Sequence, residues 1–148
     1  MTDRAHVLLW TDRTDAYLDA LRDAGLADRV AVETLARKDT PSAEQLARTD
    51  AMLAMAAPAG LLPRFAKLRW VQAMTAGVDG WLAMPDLPAG LALTCARGTH
   101  TESMPENIVG ALFHVAKPYR AVAEHQKQSK WVHTCLLYTS PSPRDQRG

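Results

Sequence analysis

A chain of 148 residues, 47% of them hydrophobic, is long enough for one compact domain with its own core and too short for two of ordinary size. Seventeen basic against sixteen acidic side chains leave a formal charge of +1, and the one basic cluster, residues 117–130, is interrupted by Glu124 and has the composition of a solvated helix face, so no nucleic-acid partner is indicated. Cys95 and Cys135 offer neither a disulfide framework nor a metal-ligand spacing, and no apolar run has the form of a signal peptide or the length of a membrane span, which leads us to expect a cytoplasmic protein without a membrane partner.

The first element is the apolar run His6-Val7-Leu8-Leu9-Trp10, whose unbroken hydrophobicity suits a central parallel strand covered on both faces. Thr14 and Asp15 then open a helix with Tyr17, Leu18, Leu21 and Ala24 on one face, ended by Gly25, which can take a positive φ. Residues 30–35 alternate Val30, Val32 and Thr34 with Glu33 and read as an edge strand. Ser42-Ala43-Glu44-Gln45 has the spacing of a capping box, so a short helix starts there.

Residues 51–55 form the third strand, and Leu61, Leu62, Phe65 and Leu68 the inner face of the next helix. Residues 70–74 and 91–95 complete the set as strands four and five. Strands separated by helices cannot pair as hairpins, so the sheet is parallel with right-handed crossovers: an α/β, flavodoxin-like, doubly wound sheet of five strands.

Ser103-Met104-Pro105-Glu106 is a second candidate capping box, with proline in the first turn where its missing N–H costs nothing. From it a long linker helix of roughly 26 residues is expected, with Ile108, Leu112, Val115, Tyr119 and Val122 in one apolar seam and a kink or restart at Pro118. Beyond Trp131 the periodicity is lost, and residues 134–148 read as a serine-, proline- and arginine-rich disordered tail.

Ligands of such a sheet bind beyond the carboxyl ends of the strands. The loop after strand four, Thr75-Ala76-Gly77-Val78-Asp79-Gly80, can bring backbone N–H groups close to a carboxylate while Val78, Trp81 and Leu82 anchor a short helix. It can equally be a tight strand-to-helix connection with Asp79 stabilising the helix start. Arg97, in the loop after strand five, is either an anion ligand or a solvated loop arginine, and His100 an acid–base group or a surface histidine. No two glycines stand two apart, so no GxGxxG loop exists, and neither a P-loop sequence nor GxSxG nor HExxH occurs. The scattered histidines supply no metal site.

Leu68-Arg69-Trp70-Val71-Gln72-Ala73-Met74-Thr75-Ala76-Gly77-Val78-Asp79, followed by Ser103-Met104-Pro105-Glu106-Asn107-Ile108-Val109-Gly110, resembles the D-isomer-specific 2-hydroxyacid dehydrogenases. Residues 105–131 look most like the glyoxylate/hydroxypyruvate reductases of that family, with Pro105 where alanine is usual. The resemblance covers about residues 1–133. It implies a substrate-binding domain over residues 1–104, an interdomain helix over 105–133 kinked at Pro118, and a non-native or disordered tail over 134–148, part of which resembles translated sequencing-adapter read-through.

It further implies that the backbone of Thr75, Ala76, Gly77 and Val78, with Arg97, binds a small 2-keto or 2-hydroxy acid, and that Met104 lies near the cofactor. The family's catalytic arginine, glutamate and histidine and its dinucleotide loop would follow Trp131, so none of the catalytic residues is expected in this chain. NAD or NADP would serve the intact enzyme, a homodimer by resemblance, without binding tightly to this portion alone. The alternative is a stand-alone flavodoxin-like module that binds a small carboxylate without catalysis. A phosphoacceptor receiver is a poor fit, because Thr11-Asp12-Arg13 follows strand one and Ala56-Ala57-Pro58 follows strand three, leaving no acidic cluster. A flavodoxin fits no better, since residues 11–15 contain no glycine for a phosphate loop.

Overall fold

The computed structural model describes residues 4–132. The expected tail and the last residue of the expected interdomain helix lie outside them. The chain divides into two compact units, Met1–Thr99 and His100–Gly148.

The first unit holds strands β1 (Ala5–Trp10), β2 (Val30–Leu35), β3 (Ala51–Ala54), β4 (Trp70–Ala73) and β5 (Ala92–Thr94). All four pairings are parallel and the order is β2-β1-β3-β4-β5, the flavodoxin-like order expected, with β2 at an edge. Helices α1 (Thr14–Asp23), α2 (Ala43–Arg48) and α3 (Asp79–Leu82) fill the connections.

Register explains the core. Leu8, Met52, Val71 and Leu93 pair in one row across β1, β3, β4 and β5, and the first three are fully buried. In the next row on the same face, Trp10 stands beside Ala54 and Ala73, so one large ring is accommodated by two methyl groups. Leu46 of α2, Leu61, Leu62, Phe65 and Trp81 of α3 close over this face.

The opposite face is less complete. Helix α1 lies along it with Tyr17, Leu18 and Leu21 half-buried, and beside Val7, Leu9, Leu53 and Trp70 it leaves an apolar groove of about 700 Å³. Full cover on both faces was expected along β1; of its six residues only Leu8, Leu9 and Trp10 are buried.

Capping chemistry sets two helix ends as expected. Ser42 Oγ accepts from the Gln45 N–H at 3.2 Å while Gln45 Oε1 accepts from the Ser42 N–H at 3.0 Å. Gly25 at φ +66° ends α1, its N–H donating to the Arg22 carbonyl while Leu26 donates to Leu21.

Four expectations are corrected. The helix over residues 61–68 is only a 3-10 turn, Leu62–Arg64, because Phe65 turns extended and the Ala66 N–H is taken by the Leu46 carbonyl. Its four apolar side chains still face the core. Leu82 does not anchor α3; it is exposed, and Trp81 with half-buried Val78 does that work.

In the second unit, Ser103 is not a capping residue. Helix α4 (Ser103–Ala116) is preceded by Glu102, already in a helical conformation, and the Glu106 N–H goes to the Glu102 carbonyl. The long helix restarts at Pro118, one of the two outcomes expected there, and is shorter than expected: α4 ends at Ala116, Lys117 is extended as the residue before proline must be, and α5 (Tyr119–Lys127) begins after Pro118. It stops at Lys127, because Ser129 adopts φ +52° while its N–H donates to Gln126 and that of Lys130 to His125. Ile108, Leu112, Val115, Tyr119 and Val122 are all exposed.

Candidate functional site

Strand β4 ends at Ala73, and its last ladder contact is continued by the Met74 N–H, which donates to the Ala54 carbonyl. The chain then leaves the sheet, and among the described residues the N–H groups of Ala76, Gly77 and Val78 donate to no protein acceptor. The loop is nevertheless shaped. Thr75 Oγ1 donates to the Gly77 carbonyl at 2.6 Å, and the Thr75 carbonyl accepts from the Ala96 N–H at 2.9 Å, tying it to the segment after β5. Val78 packs against the core, and its carbonyl accepts from Trp81 and Leu82 to begin α3.

A cleft of about 260 Å³ opens at this point, between the ends of β3 and β4. Thr75 and Gly77 line it together with Asp79 and Gly80, and Met55, Ala56 and Ala57 form its other wall. Ala76 is exposed and Val78 faces the core, so of the four loop residues expected to act together only Thr75 and Gly77 line the cleft.

Gly77 matters through space rather than dihedral angle. A methyl group added there would stand 3.2 Å from Asp79 Oδ2, so the carboxylate of Asp79 leans over the glycine. Asp79 therefore places a negative charge on the rim of the cleft as well as in the first turn of α3.

Arg97 is exposed and does not line this cleft, although it directly follows Ala96, whose N–H is bonded to Thr75. Met104 lies in the second unit, exposed in the first turn of α4, and His100 is exposed with its carbonyl accepting from the Met104 N–H. The wall at Met55, Ala56 and Ala57 was not singled out from the sequence. The rule that ligands sit at strand ends could have found it, since β3 is the neighbour of β4 and ends immediately before Met55.

No protein-family model matches the chain, and no curated protein matches it in sequence. Solved structures do match. A D-isomer-specific 2-hydroxyacid dehydrogenase family protein from Aeromonas salmonicida superposes with a TM-score of 0.74 and 25% identity, over 91% of this chain and 43% of its own. In structure, the chain is similar to the D-isomer-specific 2-hydroxyacid dehydrogenases.

An NADPH-dependent glyoxylate/hydroxypyruvate reductase from Sinorhizobium meliloti, solved with NADP and sulfate, gives a TM-score of 0.62 at 22% identity, over 89% of this chain and 41% of its own. A probable 2-hydroxyacid dehydrogenase from Rhizobium etli, solved with NADP, HEPES and L(+)-tartaric acid, gives 0.63 at 21%, over 90% and 42%. At those identities the likeness of these two is one of fold. The chain spans about two fifths of the length of these dehydrogenases.

The described residues do not fit a dinucleotide. A pyrophosphate cradle needs closely spaced glycines at a strand-to-helix turn, and the glycines nearest to that pattern, Gly77 and Gly80, stand three apart with no third glycine in the turn. No group of three or more metal-ligating side chains occurs among the described residues. No helix among them is long and apolar enough to cross a membrane.

Proposed function

We propose that this chain is the acid-binding part of an NAD(P)-dependent oxidoreductase that moves a hydride between a nicotinamide and C2 of a small 2-keto or 2-hydroxy acid of the glyoxylate or hydroxypyruvate type. The observation that carries the reading is the row of unused N–H groups at Ala76, Gly77 and Val78, beside a cleft at the end of β4 in a fold shared with 2-hydroxyacid dehydrogenases.

In this reading the loop accepts the substrate carboxylate by charge-assisted N–H donation, which fixes the orientation of the carbon to be reduced. The Thr75 hydroxyl, held on the Gly77 carbonyl, keeps the peptide planes turned. Arg97 adds positive charge from the neighbouring loop. Residues 1–104 form the acid-binding domain, 105–133 the connection, and Met104 stands next to the cofactor.

The nicotinamide supplies the hydride in the whole enzyme. Because the described residues do not fit a dinucleotide, we assign them no step of the transfer; an arginine, a histidine–carboxylate pair and a glycine-rich loop in a further domain complete the site. We read that whole enzyme as a cytoplasmic homodimer.

An NMR titration of the ¹⁵N-labelled chain with glyoxylate and with oxalate tests the reading. Saturable shifts at the amides of Ala76, Gly77 and Val78, with no NADPH or NADH oxidation, are expected. Absence of shifts there at saturating ligand would defeat the binding role, and turnover by this chain alone would defeat the placement of the reacting groups elsewhere.

A further inference from the structure

The cleft at Thr75 and Gly77 has a neighbour across the segment that follows β3. Met55, Ala56 and Ala57 also line a second cleft, of about 270 Å³, that lies on the far side of the same segment toward β1 and β2. Trp10 lies at its base, and Arg37 and Asp39 stand on its rim. Met55, Ala56 and Ala57 are common to both clefts, so an acid that reached from the loop after β4 to Arg37 would pass along them.

Arg37 is set in place from both sides. The indole Nε1 of Trp10 donates to the Ala36 carbonyl at 3.1 Å, and the Arg37 N–H donates to Asp12 Oδ1 at 2.9 Å. The Asp39 N–H returns to the Ala36 carbonyl at 3.0 Å, closing the turn. Among the described residues the Arg37 guanidinium has no ion-pair partner, whereas Arg48 is occupied by both Glu33 and Glu44. A cation on a braced backbone, lining a cleft with its donors unused, is suited to a ligand's carboxylate, which it can take by two parallel N–H bonds.

We infer that Arg37 is a specificity-determining residue that, beyond the small acids of the glyoxylate type, favours longer 2-keto or 2-hydroxy acids carrying a second carboxylate at the far end over monocarboxylic acids of the same length. This rests on the proposed role of the loop at residues 75–78: one carboxylate sits on its amides and the other crosses the Met55 wall to Arg37. Asp39, on the same rim, opposes the second carboxylate and limits its affinity.

The test compares 2-oxoglutarate with 2-oxopentanoate, which has the same carbon chain and a methyl group in place of the second carboxylate. In NMR titrations of the whole chain, 2-oxoglutarate should bind about tenfold more tightly and shift residues on both sides of the Met55 wall. Arg37→Met should abolish that preference while leaving the affinity for 2-oxopentanoate unchanged, and Asp39→Asn should widen the preference.

Equal affinities for the two acids, or a preference that survives Arg37→Met, overturn the assignment of Arg37. If both acids shift the amides of residues 76–78 without discrimination, only Arg37 is wrong. If neither shifts them, the carboxylate role of the loop has failed and the inference falls with it. Retention of the wild-type amide spectrum elsewhere shows that Arg37→Met is folded.

Discussion

Asp50 and His6 are joined twice at the amino end of the sheet: the His6 N–H donates to Asp50 Oδ2 at 2.9 Å, and the Asp50 N–H donates to the His6 carbonyl at 2.9 Å. The carboxylate thus extends the β1–β3 pairing before the register Val7–Ala51 begins. Its other oxygen lies 3.5 Å from Arg69, whose largely exposed side chain makes that contact worth little.

Asp50→Ala leaves the His6 N–H without its acceptor and should cost about 1–2 kcal/mol. Asp50→Asn keeps an acceptor oxygen and loses only the charge, so it should recover more than half of that. Urea unfolding midpoints of the two variants decide the matter; equal losses would show that Arg69, and not His6, is the partner that counts.

Leu8→Ala should be far more damaging. Leu8 is fully buried in the row with Met52 and Val71, where strands on both sides prevent collapse around a cavity. A loss of about 3–4 kcal/mol is expected, enough to threaten a domain of this size. Leu8→Met, which preserves volume, should cost under about 1.5 kcal/mol in the same denaturation series.

The ends of α1 and α5 show why parts of this fold are legible in the sequence and parts are not. Both close with the same pair of hydrogen bonds around a residue of positive φ, but Gly25 announces that conformation and Ser129 does not. The same contrast runs through the sheet. Apolar runs and short helical spacers fixed five parallel strands and their order, whereas the segment around Leu62 carried a helical apolar spacing and left the helix because the Leu46 carbonyl captured the Ala66 N–H. That capture is tertiary and has no local signature. Similarly, the glycines made the loop at residues 75–80 visible, while Met55 and Ala57 gained meaning only once β3 lay beside β4.

Ser129→Gly should therefore stabilise the last turn of α5, since a side chain in the left-handed region costs about 1–2 kcal/mol that glycine avoids. Gly25→Ala should do the reverse at the end of α1. Nothing lies within 4 Å of a methyl group added at Gly25, so its loss would be conformational and not steric. Hydrogen exchange at the capping amides of Leu26 and Lys130 reads the two effects separately: slower exchange at Lys130 in Ser129→Gly, faster at Leu26 in Gly25→Ala.

The Asp79 carboxylate sets the sign of the last prediction. It shares the rim of the cleft with Thr75 and Gly77, so an acid bound on the loop amides meets a like charge. Asp79→Asn removes that repulsion and keeps the shape of the side chain. Affinity for glyoxylate or oxalate should rise several-fold, with the larger gain for oxalate, which carries two charges, and the gain should shrink as salt is added. A small loss at the start of α3, about 0.3–1 kcal/mol, is expected alongside because a first-turn carboxylate is gone. Unchanged or weaker acid binding in Asp79→Asn would mean that the carboxylate of the ligand lies away from Gly77, and that the loop serves only to join β4 to α3.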